Sequence, residues 1–204
     1  VMTRPCPDED GALVPDAADE ILATAKRAGA VALGPGLGRT DGTRALVGFL
    51  LDRLDKPVVL DADGLWALAG HLDWVFSRDA PTVLTPHAGE LGRLLGRPSA
   101  WVGANRLNAV QAGADDTGAV VLLKGVDTLV AAPGRNPVVA DLGNAGLATA
   151  GSGDVLTGVV GAFLAKGLEG SLAATAAAAA CGVASQLAAE RGQRIDHMRR
   201  HHRQ

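Results

Sequence analysis

The residues best suited to chemistry lie late in the chain. Gly143-Asn144-Ala145-Gly146 leads to Thr149-Ala150-Gly151-Ser152-Gly153-Asp154, which runs into a helical stretch, Val155–Ala165. A glycine-rich loop that opens a helix exposes backbone N–H groups at the positive end of the helix dipole, a natural place for a phosphoryl group in transfer. Asp154 stands on the first turn. A carboxylate there can take the proton of a hydroxyl as that hydroxyl attacks phosphorus. Gly-Ser-Gly is also a common turn and Asp a common helix cap, so the tetrapeptide alone decides nothing. The lead-in, almost free of bulky side chains, favours a phosphate cradle.

Four further motifs carry polar groups at turns. Leu84-Thr85-Pro86-His87-Ala88-Gly89-Glu90 follows one apolar run and enters a helix, at the sheet edge where open α/β sheets bind ligands. His87 could meet substrate or phosphate and Glu90 a Mg²⁺-bound water, or the segment is a proline turn with an exposed imidazole. In Val31–Gly38 a strand ends in Gly34, Gly36 and Gly38, which let backbone approach a ligand but lack the dinucleotide spacing. Asp61 and Asp63 close the run Val58–Leu60; they could order Mg²⁺ water or hold a substrate, or Asp63 caps the helix over Leu65–Ala69. Finally, Lys124-Gly125-Val126-Asp127-Thr128 is a hairpin turn whose Lys and Thr could meet nucleotide, or a solvated turn.

The elements that must position these groups are short. Five uniformly apolar runs read as strands: Ala30–Leu33, Pro57–Leu60, Thr82–Leu84, Val120–Leu123 and Thr128–Ala131. Strands without alternation are covered on both faces, as in a parallel sheet between helices. Helical patterns fall at Thr43–Leu54, Glu90–Leu95, Asn105–Ala112, Asp154–Ala165 and Ser171–Glu190. Strand and helix alternate, so the class is α/β with a mostly parallel central sheet flanked by helices. The last two helices have no strand between them and should pair over one face, their Ala-rich sides allowing close approach. A single domain is expected over residues 1–192, with Val1–Pro15 as a polar leader and 193–204 as a basic, disordered tail.

Composition narrows the function. The chain has 204 residues, 27 Gly and only six aromatic residues, so its core must be Ala, Val and Leu packed closely. The net charge of −3 is spread along the chain, which argues against nucleic acid. Cys6 and Cys181 do not form a disulfide framework, and Val1–Asp10 is too polar for a signal peptide, so a cytoplasmic location is expected. Leu172–Ala189 carries no charge. Being mostly Ala, it reads as a buried helix and not as a membrane span. A homo-oligomer is expected.

In this order, the five motifs resemble the ribokinase-like superfamily and, more narrowly, the ADP- or ATP-dependent NAD(P)H-hydrate dehydratases. The match rests on Gly34–Gly38, Leu60–Leu65, Leu84–Glu90, Lys124–Thr128 and Gly143–Gly158. The resemblance implies a reaction: hydrated NADH or NADPH is phosphorylated on its ring hydroxyl by ADP or ATP, and phosphate is then eliminated. It implies Asp154 as general base in contact with the hydrated cofactor, and Gly151, Ser152 and Gly153 as the anion hole. Lys124, Gly125, Val126, Asp127 and Thr128, with Gly153, would line the adenine nucleotide. Gly36, Gly38, Asp61, His87 and Asn144 would line the substrate. Glu90 takes the place of the Mg²⁺-associated glutamate of sugar kinases, whose Asn-x-x-Glu becomes His87-x-x-Glu90.

Two departures from the family pattern shape the expectations. Family members begin with a strand, a glycine-rich loop and a long helix; nothing before Val1 supplies them and Val1–Ala12 resembles the segment that follows that unit, so a strand is expected to be lacking from the sheet and activity to suffer. The closing residues Arg194–Gln204 do not match the family's last helix. Two other functions fit the same motifs: a small-alcohol kinase for a vitamin precursor, which would release a stable phosphate ester, and a nucleotide-binding fragment without turnover.

Overall fold

The computed structural model describes residues 3–201, with side chains placed through Arg191. The chain opens with a small antiparallel hairpin, β1 (Asp8–Glu9) and β2 (Ala12–Leu13), then a 3₁₀ turn over Pro15–Ala17 and helix α1 (Ala18–Ala25). The leader is thus more ordered than its polarity suggests. Leu13 N donates to Leu37 O at 3.2 Å, and the buried Thr43 hydroxyl donates to Leu13 O at 3.2 Å. Cys6 and Leu13 pack on the core. The few apolar residues of the leader hold it against the first glycine-rich loop.

Strands and helices then alternate: β3 (Val31–Leu33), α2 (Asp41–Arg53), β4 (Val58–Leu60), α3 (Ala62–Leu68), α4 (Asp73–Phe76), β5 (Thr82–Leu84), α5 (Ala88–Leu94), α6 (Ser99–Ala104) and α7 (Arg106–Thr117). Next come β6 (Val120–Leu123), β7 (Thr128–Ala131) and β8 (Val138–Ala140), and last α8 (Ser152–Ala165) and α9 (Gly170–His201). Helix α2 shows why these boundaries fall where they do. Thr40 caps it by accepting from Thr43 N at 3.0 Å, and Leu46, Val47, Leu50 and Leu51 bury one side. The next strand's proline, Pro57, follows its end closely.

The six strands β3 to β8 lie in chain order; β3 to β6 are parallel, β7 runs antiparallel to β6, and β8 runs antiparallel to β7. The register aligns Leu33, Leu60 and Leu84, so the residues after each stand in a row at the carboxyl edge. Alternate strand residues face two cores. Leu60, Leu84, Val121 and Leu123 meet Leu50, Leu65, Leu91 and Val110 from α2, α3, α5 and α7. Val59, Val83, Val120, Leu122 and Val130 meet Leu156, Val160 and Leu164 of α8 and Ala173, Ala174, Ala177 and Ala178 of α9. The last two helices pair over one face, as expected, and alanine side chains let α9 lie close to the sheet.

Differences from the sequence reading concern short elements. β8 was not expected: it is three residues long, begins after Pro137, and two of its three residues are exposed, so it lacks the apolar signature of a covered strand. The strand expected to be lacking leaves no gap, since β3 to β8 are contiguous; β3 is the edge on that side among the described residues. The stretch Gly170–Arg191 is long and apolar enough to cross a membrane by length and composition, and its inner alanines are buried against the sheet. The helical backbone runs to His201; a disordered tail was expected over 193–204, and the side chains from 192 onward lie outside the described residues.

Candidate active site

Four parallel strands deliver polar or glycine residues to one edge: Gly34 after β3, Asp61 after β4, Thr85 to His87 after β5 and Lys124 after β6. Asp61 is the centre of the cluster and is 1% exposed. Its Oδ1 accepts from Lys124 Nζ at 2.8 Å and from Ala62 N at 2.9 Å, and its Oδ2 accepts from the Thr157 hydroxyl at 2.7 Å. One carboxylate therefore joins the ends of β4 and β6 to the second turn of α8. Burying such a charge is costly unless it is paired and hydrogen-bonded, and here both oxygens are engaged. Gly34 is required beside it, because a side chain there would run into the Asp61 carbonyl oxygen.

The helix start after β4 departs from the expected capping. Asp61, not Asp63, caps α3. Asp63 reaches back instead: it accepts from Gly38 N at 3.1 Å and from Arg39 Nε at 2.6 Å, and so fastens the Gly34–Gly38 loop to the same strand end. Between the two aspartates Ala62 holds φ +47, a left-handed conformation unfavourable for a residue with a side chain. That kink sends the two carboxylates to different partners.

His87 and Glu90 form a reciprocal cap on α5. His87 Nδ1 accepts from Gly89 N at 2.9 Å and Glu90 N at 3.2 Å, while Glu90 Oε2 accepts from His87 N at 2.9 Å. This arrangement leaves Nδ1 as an acceptor and puts the imidazole proton on Nε2, which lies 3.5 Å from Glu90 Oε1. Glu90 is buried and its Oε2 lies 3.9 Å from Lys124 Nζ. The Lys124 ammonium thus stands between two carboxylates, with one of its three N–H donors engaged by Asp61.

Helix α8 brings the glycine-rich segment to this cluster. A side chain beginning at Gly153 would lie 3.5 Å from Lys124 Nζ and 3.7 Å from Asp61 Oδ2. The helix N-terminus and the ammonium therefore face one spot, and both favour an anion there. The left-handed turn falls at Gly151 (φ +88), so Gly153 is an ordinary helical residue whose neighbours leave room for a methyl group. Ser152 is committed to the loop: its hydroxyl donates to Leu147 O at 2.6 Å. Asp154 is exposed and takes no hydrogen bond or ion pair among the described residues.

The remaining candidates are less closely knit. Asn144 accepts from Gly146 N at 2.8 Å and donates to Ser185 O of α9 at 2.9 Å, so its amide ties the loop to the closing helix. The turn Gly125–Asp127 between β6 and β7 is exposed, with Val126 at the tip. A cavity of about 680 Å³ opens between α2 and α4, lined by Leu51, Asp52, Trp74 and Arg78, and holds none of these residues. Arg78 donates there to Leu51 O and to Lys56 O, a structural brace whose burial lowers its pKa.

The sequence pattern described as NAD(P)H-hydrate dehydratase matches residues 1–202. The chain belongs to the NAD(P)H-hydrate dehydratase family. It is 46% identical over 190 residues to a bifunctional NAD(P)H-hydrate repair enzyme of Salinibacter ruber, covering 91% of this chain and 34% of that protein. It is 45% identical over 170 residues to an ADP-dependent (S)-NAD(P)H-hydrate dehydratase of Neisseria meningitidis serogroup B, covering 78% of this chain and 54% of the relative. Among solved structures, an ADP/ATP-dependent NAD(P)H-hydrate dehydratase from Bacillus subtilis, co-crystallised with ATP and Mg²⁺, superposes with a TM-score of 0.71 at 33% identity, over 79% of this chain and 56% of that one. The chain spans about a third of the length of the repair enzymes it matches.

For this member of the dehydratase family, the sequence reading missed three residues that the geometry brings in. Thr157 lies one helical turn after Gly153, on the same inward face toward Asp61, which the four-residue spacing could have shown. Arg39 follows the glycine loop directly. Arg106, at the start of α7, donates to Asp127 O at 2.6 Å; nothing in the local sequence points across those 21 residues.

Proposed function

We propose that this chain carries the ADP- or ATP-dependent dehydration of hydrated NADH and NADPH, the S epimer, as a metabolite-repair enzyme acting in the cytoplasm. The observation that supports it most is the position of Lys124. Its ammonium is held by Asp61 at 2.8 Å and faces the N-terminus of α8 at Gly153, which offers a phosphoryl group a cation and backbone donors together. Asp154, free of partners among the described residues on the same first turn, takes the proton from the ring hydroxyl. The hydroxyl oxygen bonds to the terminal phosphorus of ADP or ATP, and the bond from that phosphorus to the nucleotide breaks, leaving AMP or ADP. The ring C–O bond then breaks with its electron pair on phosphate, a neighbouring ring carbon gives up a proton, and the dihydronicotinamide returns.

In this reading Asp61 holds Lys124 and does not meet substrate, because its oxygens are already engaged. The turn Lys124–Thr128 offers backbone donors to the nucleotide, and His87 offers its Nε2 proton to the hydrated ring. The described residues include no group of three His, Cys, Asp or Glu side chains able to hold a metal. Mg²⁺ therefore fits as an ion carried on the nucleotide phosphates, with Glu90 approaching through water; when bound, it offsets phosphate charge. We read α9 as a packing helix without a membrane partner, and expect copies of the chain to associate.

Incubation with hydrated NADH, Mg²⁺ and either nucleotide tests the reading, both for this chain and for the chain extended by the family's amino-terminal strand and helix. Recovery of dihydronicotinamide absorbance with release of inorganic phosphate is expected. A stable phosphate ester without that recovery would make the protein a small-alcohol kinase, and nucleotide binding with neither product would make it a non-catalytic binding protein.

A further inference from the structure

The hairpin Lys124–Thr128 has an unusual support. β6 and β7 pair up to Leu123 and Leu129, so Gly125, Val126 and Asp127 form the turn. Among the described residues, the backbone N–H groups of those three residues donate to no other backbone group. A turn without its own hydrogen bonds is free to move unless something outside it fixes the peptide planes. That something is Arg106. Its Nη2 donates to Asp127 O at 2.6 Å and approaches Leu123 O at 3.4 Å, bridging the two sides of the turn at its mouth. Its guanidinium also covers Gly125: a side chain begun there would lie 2.5–2.7 Å from Nη2, Nη1 and Cζ. A side chain at Gly125 would therefore have to push the guanidinium aside.

Local folding explains how Arg106 gets there. Asn105 ends α6, with N donating to Trp101 O at 3.0 Å and Nδ2 to the same oxygen at 2.9 Å, and α7 restarts at Arg106 in a new direction. The first residue of α7 therefore projects from a rigid corner. A planar guanidinium suits the task because it offers several donors in a fixed fork, where a lysine ammonium is a flexible point charge. Holding the Leu123 and Asp127 carbonyls fixes the two trans-planar peptides that flank the turn, 123–124 and 127–128, and so anchors both ends of the short segment that carries the Gly125, Val126 and Asp127 N–H groups.

We propose that Arg106 is a positioning residue for nucleotide binding: it braces the Lys124–Thr128 turn from behind and presets its backbone donors. This rests on the nucleotide role proposed for that turn. The test combines ADP titration by calorimetry with amide hydrogen exchange over 123–128 in the unliganded protein, for wild type, Arg106→Ala, Arg106→Lys, Gly125→Ala and the double variant with both alanines. Arg106→Ala is expected to weaken ADP binding about tenfold or more, the usual worth of a charge-assisted hydrogen bond, and to speed exchange at the turn with the global melting temperature little changed. Arg106→Lys should recover part of the loss. Gly125→Ala should displace the guanidinium and weaken ADP to a similar degree, yet add little when Arg106 is already alanine. Full additivity, or wild-type ADP affinity and exchange in Arg106→Ala, would overturn the proposal. A wild-type chain that binds no ADP would overturn the nucleotide role of the turn itself, whereas normal wild-type binding with an indifferent Arg106 would overturn this inference alone.

Discussion

Two aspartates at one sheet edge have opposite surroundings. Asp61, after β4, is buried and engages Lys124, Ala62 and Thr157 with its two oxygens. Asp154, on the first turn of α8, is exposed and engaged by none of the described residues. A carboxylate with both oxygens committed is an anchor, since moving it breaks three contacts; one without partners can accept a proton when a hydroxyl arrives. In the reading proposed above, the strand ends hold and the helix start reacts. The Thr157 bond to Asp61 also fixes α8, which carries Asp154, against the sheet.

The largest effect that could break this division is on rate. Asp154→Asn should lower turnover by about a hundredfold to ten-thousandfold, the ordinary worth of a positioned base, with ADP affinity and melting temperature nearly unchanged. Near-normal steady-state turnover would put the base elsewhere. Next is stability at the anchor. Asp61→Ala leaves the Lys124 ammonium without its close partner and the Thr157 hydroxyl unpaired, and should cost about 3 kcal/mol in urea denaturation. A loss under about 1 kcal/mol would mean that Asp61 is not the anchor.

Gly153 sharpens the comparison because stability and binding should move in opposite directions. It is helical, and the space beside it admits a methyl group at ordinary contact distance from Lys124 and Asp61. Gly153→Ala should hold or raise stability by about 0.5 kcal/mol, the helix-propensity gain. It should nevertheless weaken ADP binding about tenfold by occupying the cradle. Equal ADP affinity in calorimetry would refute the cradle. The smallest expected effect lies outside the site. Glu169 caps the start of α9 through Ser171 Oγ at 2.6 Å and Leu172 N at 3.3 Å, and these bonds hold its pKa below the usual glutamate value. A depressed carboxylate contributes stability above its unfolded pKa and loses it as pH falls through the folded one. Glu169 is largely exposed and screened by solvent, and a Gln oxygen can still accept, so Glu169→Gln should cost only about 0.3 kcal/mol at neutral pH, and the difference from wild type should vanish in acid denaturation series below the carboxylate range.

Much of this was legible in the sequence where apolar pattern and turn chemistry agree. The runs Val58–Leu60, Thr82–Leu84 and Val120–Leu123 are buried on both faces, so their composition identifies them as covered strands, and α8 and α9 follow from long uninterrupted helical stretches. What escaped depends on distance in the chain. The exchange of roles between Asp61 and Asp63 turns on the left-handed Ala62, and alanine carries no warning of it. The Arg106 brace joins residues 21 apart, and the Asp61–Thr157 bond joins residues 96 apart. Motif spacing marks where polar groups cluster; only the register of β4, β5 and β6 shows which of them are used up in holding one another.

The most direct measurement follows the oxygen atom. Hydrated NADH carrying heavy oxygen in its ring hydroxyl would be incubated with the enzyme, Mg²⁺ and ADP, and the products analysed by mass spectrometry. If the hydroxyl oxygen bonds to phosphorus before the ring C–O bond breaks, the heavy oxygen leaves in inorganic phosphate as dihydronicotinamide absorbance recovers. Heavy oxygen released into water would show that the hydroxyl departs without phosphorylation, and would contradict a phosphoryl cradle at Lys124 and Gly153 with Asp154 as its base.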